Sequence, residues 1–261
     1  MVNCYMCGKK ATSKEHVPPK CLFPESKDIP EFDLRNDLIT VPSCEIHNMQ
    51  KSNEDEYLMM VLSNIKGNNF FGHIQWNSKI DRALKRKEQD YFDKKILINP
   101  RIRKEKVYDI EMEIKYGDPD YKRLLRCFEH ISYGLYYNEF KTRFKGNVNS
   151  NLGFIEYFNT NLQKHIDMVF HLAKTDPFNL AGEFKGSNPK IFQYQFHKPD
   201  AYGIQGLMMK FFEGAEVFTA FSPKEFKREK TLTEELISNG TPIIIDANGK
   251  NFNFNMNEKD Q

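Results

Sequence analysis

Cys4-Tyr5-Met6-Cys7 and Cys44-Glu45-Ile46-His47 are two Cys-x-x-(Cys/His) pairs at the two ends of one stretch of chain. A lone Cys-x-x-Cys also occurs as a redox dithiol, but a redox pair opens a helix after a strand near a βαβ pattern, and this chain supplies no such context. Brought together, the two pairs have the ligand types and spacing of a tetrahedral zinc site. Gly8 permits the tight backbone turn after the second thiolate. Within this frame lies Ser13-Lys14-Glu15-His16-Val17-Pro18-Pro19, and Asn48 follows the last ligand directly. A zinc ion there holds a carboxylate, an imidazole and an amide close together. Cys21 has no partner in the spacing scheme and reads as a small buried hydrophobe.

The chain has 261 residues, enough for one large domain or two small ones with a sizeable core. Its 22 Phe and 12 Tyr argue for a folded chain. A net charge of +2 imposes no global field that would force a nucleic-acid partner. No apolar run is long enough for a membrane span, so no membrane partner is expected. The N-terminus lacks the basic-then-apolar pattern of a signal peptide. With four of five cysteines in the first 44 residues, reduced thiols and metal binding fit better than disulfides. The expected compartment is the cytoplasm.

Pro18 and Pro19 place His16 at the end of a short strand. Residues 24–36 read as a loop. Leu38-Ile39-Thr40-Val41 reads as a second strand that Pro42 ends. A helix follows Cys44, with Leu58, Val61, Leu62 and Ile65 on its buried face, Asn53 to Glu56 on its solvated side or edge, and Gly67-Asn68-Asn69 at its stop.

The order of knuckle, strand, loop, strand, knuckle and helix resembles the HNH endonucleases, the ββα-metal nucleases, in their zinc-stapled form. The residues that carry the resemblance are Ser13 to Pro19, Leu38 to Cys44, and Cys44-Glu45-Ile46-His47-Asn48 running on to Lys51-Ser52. It covers roughly residues 3–66. The resemblance implies His16 as the general base and Glu15 as a ligand of a catalytic divalent ion, Mg²⁺ or Mn²⁺. Asn48 is then the second protein ligand of that ion, and Asp37, with Asn36 beside it, takes a supporting role. The family more often shows Cys where His47 stands. A rival register makes His47 catalytic and leaves zinc to three cysteines. The knuckle spacing of Cys44-x-x-His47 favours Cys4, Cys7, Cys44 and His47 as the zinc ligands. A hard cation with few protein ligands and a near-neutral imidazole suit phosphodiester hydrolysis.

Residues 79–106 carry 11 Lys/Arg against 5 Asp/Glu. They read either as a phosphate-contacting surface, with Lys85, Arg86 and Lys87 at its centre, or as a solvated helix face. Alternation from Tyr108 to Tyr116 predicts a strand. Asp118-Pro119 predicts a helix start, and Leu124, Phe128, Ile131 and Leu135 form the stripe of a helix reaching Phe144. Leu162 to Val169 predicts another helix. Strands follow at 191–196, in a hairpin within 206–221, and at 243–245. The last dozen residues are polar and Asn-rich and are expected to fray.

The expected fold is therefore α+β. It comprises a zinc-stapled ββα-metal module over 1–70, a basic helical connector over 71–106, and an α+β domain of long helices and antiparallel strands over 107–261. The expected activity is metal-dependent cleavage of nucleic acid, with DNA the favoured substrate. Two alternatives stand beside it: a zinc-stabilised nucleic-acid-binding protein without hydrolysis, and a nuclease subunit active only when a protein partner or ligand engages the C-terminal domain.

Overall fold

The computed structural model describes residues 2–49, 52–86, 96–107, 110–176, 182–226 and 231–256. The chain is a mixture of helices and antiparallel strands and divides into two compact units. One comprises Met1–Phe144, Ser187–Phe192 and Phe211–Gly214; the other comprises Lys145–Gly186, Gln193–Lys210 and Ala215–Gln261. The division falls well past the 106/107 boundary expected from sequence.

The first unit begins with two strands, β1 (Ser13–His16) and β2 (Thr40–Ser43), paired antiparallel with Glu15 opposite Val41. β1 ends at His16, as the two prolines require. β2 lies two residues later than expected, and Pro42 sits inside it instead of ending it. Proline lacks only the donor, and an edge position tolerates that. The Pro42 carbonyl still accepts from the Tyr5 N–H at 2.9 Å.

Helix α1 (Glu45–Met49) follows Cys44, and α2 (Ser52–Ser63) follows it. Leu58 and Leu62 are buried on α2. The helix stops at Ser63, short of Gly67-Asn68-Asn69. The two asparagines serve different elements: Asn68 donates to the Leu62 carbonyl in the last turn of α2 at 2.7 Å, and Asn69 caps α3 (Phe70–Gln75) by accepting from the Phe71 N–H. A π-helical turn over Trp76–Ile80 leads into α4 (Asp81–Leu84). Among its described residues, the connector is helical through α4. From Leu97 it becomes strand β3 (Leu97–Val107), paired with β4 (Ile110–Pro119). Tyr108 lies outside the described residues.

Helix α5 (Tyr121–Phe140) belongs to the first unit and buries Leu124, Phe128, Ile131 and Leu135. Its N-cap is Asp120, which accepts from the Arg123 N–H at 3.0 Å; Asp118-Pro119 instead ends β4. It stops at Phe140, where Lys141 turns left-handed (φ 54°), and not at Phe144. Arg123 ties it to α2, meeting Glu54 at 2.6 Å and lying over the Tyr57 ring. Gly134 faces Val17, and a Cβ there would come within 2.6 Å of the valine side chain. Glycine inside a helix costs about 1 kcal/mol against alanine. Here it lets the strand that carries Glu15 and His16 run hard against the α5 backbone.

The second unit is built on a four-stranded sheet in the order β5 (Asn147–Leu152), β8 (Ala215–Ser222), β7 (Gln205–Phe211) and β6 (Phe192–Phe196). The β7–β8 hairpin appears where expected. Helix α6 (Thr160–Thr175) has two apolar stripes. Ile166, Phe170 and Ala173 pack with Met208 of the sheet. Met168 and Leu172 pack on a second hairpin, β9 (Ile243–Ala247) and β10 (Lys250–Phe254), which buries Phe252 and Phe254. The expectation that the last dozen residues fray therefore fails for 250–254, whose two phenylalanines anchor them. A short helix, α7 (Leu232–Ser238), opens with a capping box formed by Thr231 and Glu234.

Candidate metal centre and active-site cleft

The four ligands expected from sequence come together. The ligating atoms of Cys4, Cys7, Cys44 and His47 all lie within 4.8 Å of one another, and this cluster can hold a metal ion. Cys44 Sγ is 3.2 Å and Cys4 Sγ 3.7 Å from His47 Nδ1, and Cys7 Sγ is 3.8 Å from Cys44 Sγ. Each pair owes its place to local backbone. The Cys4 loop closes through Gly8 N–H to Cys4 C=O at 3.0 Å, with Gly8 at φ 75°. Cys44 and His47 lie one turn apart at the start of α1, which brings Sγ and Nδ1 onto one face. The His47 backbone N–H, and then its side chain, lower the Cys44 thiol to about 6. Burial moves Cys7 upward, so Cys44 is the readier thiolate of the two. Cys21 stands apart, donating to the Asp55 carbonyl at 3.3 Å. His130 of α5, unremarkable in the sequence, meets the His47 ring edge-on at 6.3 Å between centroids.

A cleft of about 450 Å³ opens in the same unit, and Glu15, His16 and Asn48 all line it. Glu15 is 4% exposed, and its Oε1 accepts from the Tyr5 hydroxyl at 3.0 Å. A buried carboxylate needs such a donor to offset its lost hydration. Burial, and then the Glu15 charge, hold the Tyr5 phenol well above its usual range, so it stays a neutral donor. Asn48 is fixed from both sides: its backbone N–H bonds the Cys44 carbonyl at 3.0 Å, and its Nδ2 donates to Ser13 Oγ at 3.0 Å. With the nitrogen engaged, the carbonyl oxygen is the end of the amide left to act as a ligand. Asp37 does not join them. It sits exposed in a turn at φ 52° and is not among the residues that line the cleft.

The cleft walls also carry groups that the sequence did not single out. Asp55 and Glu56 of α2 face it, together with Lys14 and Lys20. Asp55 is half-buried like Glu54 and Glu56, as expected at the edge of the solvated side. Because Tyr57 to Met60 are all buried, helical phase does not set it apart. Of the basic stretch, Lys79 and Arg86 line the cleft. Lys79 also pairs with Glu25 at 3.4 Å, Arg82 grips buried Asp28 with two bonds at 2.6 and 2.9 Å, and Lys85 pairs with Asp81 at 2.6 Å. Three of those eleven cations thus hold the 24–36 loop and α4. Lys87 lies outside the described residues.

No family model matches the chain, and neither the curated proteins nor the solved structures compared with it give a match. Among the described residues, no helix is long and apolar enough to cross a membrane.

Proposed function

We propose that the first unit is a metal-dependent HNH-type endonuclease that hydrolyses phosphodiester bonds, with DNA as its favoured substrate. One observation carries this reading: Glu15, His16 and Asn48 come from two separated segments yet line one cleft, with Asn48 directly after His47 of a cluster able to bind a metal ion and Glu15 bonded to Tyr5 in the loop between two of its cysteines. The donor set of that cluster favours structural zinc. A tetrahedron with Zn–S bonds of about 2.3 Å has S···S edges of about 3.8 Å, and one S···S and two S···N edges here fall at or somewhat below that length.

In this reading His16 accepts a proton from water, and the hydroxide attacks the phosphorus. Glu15 and the Asn48 oxygen offer the few hard oxygen ligands that Mg²⁺ or Mn²⁺ takes alongside waters and phosphate oxygens. Such an ion supplies Lewis-acid stabilisation of the phosphoryl group and the leaving oxygen. Lys14, Lys20 and Arg86 give the walls cationic groups suited to a phosphate backbone.

The test is cleavage of plasmid DNA and of RNA by the full chain across divalent metals, with zinc content measured on each variant. His16→Ala should lose about 10²–10⁴-fold in rate while keeping its zinc. Asn48→Ala should lose cleavage and keep zinc, whereas His47→Ala should lose zinc. Binding without cleavage by the native protein would make this a zinc-stabilised nucleic-acid-binding protein. A His47→Ala protein that keeps zinc and fold but loses cleavage would move the catalytic register by one residue.

A further inference from the structure

We infer that Tyr5 is a positioning residue: its hydroxyl orients the Glu15 carboxylate, and the metal-cluster loop thereby sets how tightly the cleft holds its divalent ion. The inference rests on the nuclease reading, in which Glu15 ligates that ion.

Tyr5 lies between two cluster ligands, Cys4 and Cys7, and its side chain is fully buried. Its backbone is pinned where it stands. Its N–H bonds the Pro42 carbonyl of β2 at 2.9 Å, and the neighbouring Cys4 N–H bonds Lys9 O at 2.7 Å. β2 is also the strand that pairs with β1, placing Val41 opposite Glu15. Phenol and carboxylate are therefore held from the same strand pair, and the 3.0 Å bond between them closes the frame. A buried phenol is costly unless its hydroxyl is bonded, so the residue serves poorly as mere filling. A donor on one carboxylate oxygen fixes the plane of the group and the direction of its other oxygen. Partners of this kind typically carry about 10–100-fold in metal affinity or activity. The loop that closes around one metal thus reaches a ligand of another.

The test is Mn²⁺ binding to the zinc-loaded full chain, with zinc stoichiometry and melting measured on the same samples. Tyr5→Phe should keep its zinc and bind Mn²⁺ about tenfold more weakly. In a Glu15→Gln background, where Mn²⁺ binding is already weakened, Tyr5→Phe should add nothing further, as a shared pathway requires. Equal Mn²⁺ affinity in the native and Tyr5→Phe proteins would overturn the inference and leave the nuclease reading standing. If the native protein shows no Mn²⁺ binding sensitive to Glu15→Gln, the nuclease reading fails and takes this inference with it. If Tyr5→Phe releases zinc, 4-fluorophenylalanine placed at position 5 fills the space of the hydroxyl without donating to Glu15. Mn²⁺ affinity should then fall, and an unchanged affinity would again overturn the proposal.

Discussion

In the first unit, residues 3–49 hold two strands of four residues each and a helix of five. The second unit holds a four-stranded sheet and a sixteen-residue helix with one stripe on that sheet and another on a second hairpin. Short elements bury little apolar area each, and an isolated two-stranded pair is marginal in water. The first segment compensates with side-chain chemistry, gathering three thiols and an imidazole within 4.8 Å. The second unit has aromatic mass instead, including Phe170, Phe252 and Phe254. The difference places the proposed catalytic residues on the segment that carries the cluster. The apolar core of the first unit draws on α2 and α5, and the cluster segment packs against α5 through Val17.

The largest expected effect separates the two units by what each needs. Structural zinc sites contribute on the order of 10 kcal/mol to the folding of small modules. Stripping the metal with a chelator, or changing Cys44→Ser, should therefore abolish amide protection across β1, β2 and α1. Protection in β7 and β8 should stay as it was. Hydrogen exchange on the full chain reads both regions in one experiment. Loss of protection in both units would mean that the second also depends on the cluster.

The two regions were also unequally legible in the sequence. The ligand frame is written in residue types and spacing, so Cys4, Cys7, Cys44 and His47 could be named without any tertiary knowledge. The cleft could be named only in part. Glu15, His16 and Asn48 stand next to the motif, but Lys20 and Asp55 reach the cleft, and Tyr5 reaches Glu15, only through folding. Pro42 misled because its missing donor matters only where a partner strand needs it, and its carbonyl is what the Cys4 loop uses. Ala247-Asn248-Gly249-Lys250 carries a turn signal in its residue types. Asn248 at φ 50° and Gly249 at φ 81° form the left-handed pair that a two-residue hairpin favours, and the Asn-rich composition masked that signal. Asp118-Pro119 looked like a helix start, but the ladder with β3 extends through Pro119 and moves the cap to Asp120.

A smaller effect sharpens the comparison from the other side. Phe170 is 7% exposed and lies against Ile166, Ala173 and Met208; its ring is also tight against the Gly153 backbone, where a Cβ would approach to 2.8 Å. Phe170→Ala should destabilise the second unit by about 3–5 kcal/mol, from lost burial and the cavity left behind. Zinc stoichiometry should not change. Urea unfolding followed at Met208 by methyl NMR, with metal analysis beside it, gives both readings. A fall in bound zinc would break the division of labour between the units.

The smallest effect is a slope of stability with pH. His197 is 4% exposed, its ring lies 5.5 Å from that of Phe218, and Gly206 is kept bare where a Cβ would come within 3.2 Å of it. Burial lowers its proton affinity below the usual 6.5, and Asp176 opposes the shift without cancelling it. The unfolded chain therefore binds a proton at His197 more readily than the folded one does. Stability from this residue is full above about pH 6.5 and falls as pH drops from there toward the depressed folded value. A metal held at the cluster would also be lost in acid, but for a different reason: protons compete with the ion for its ligands. The two losses can be separated, because His197→Gln removes only the first. Between about pH 7.5 and about pH 5.5 the Met208 reporter should show a shallower decline in His197→Gln than in the native chain. Metal release should follow the same pH curve in both proteins. Parallel declines at Met208 would show that His197 carries no pH-dependent stability, leaving acid sensitivity to the metal cluster and the other titrating groups.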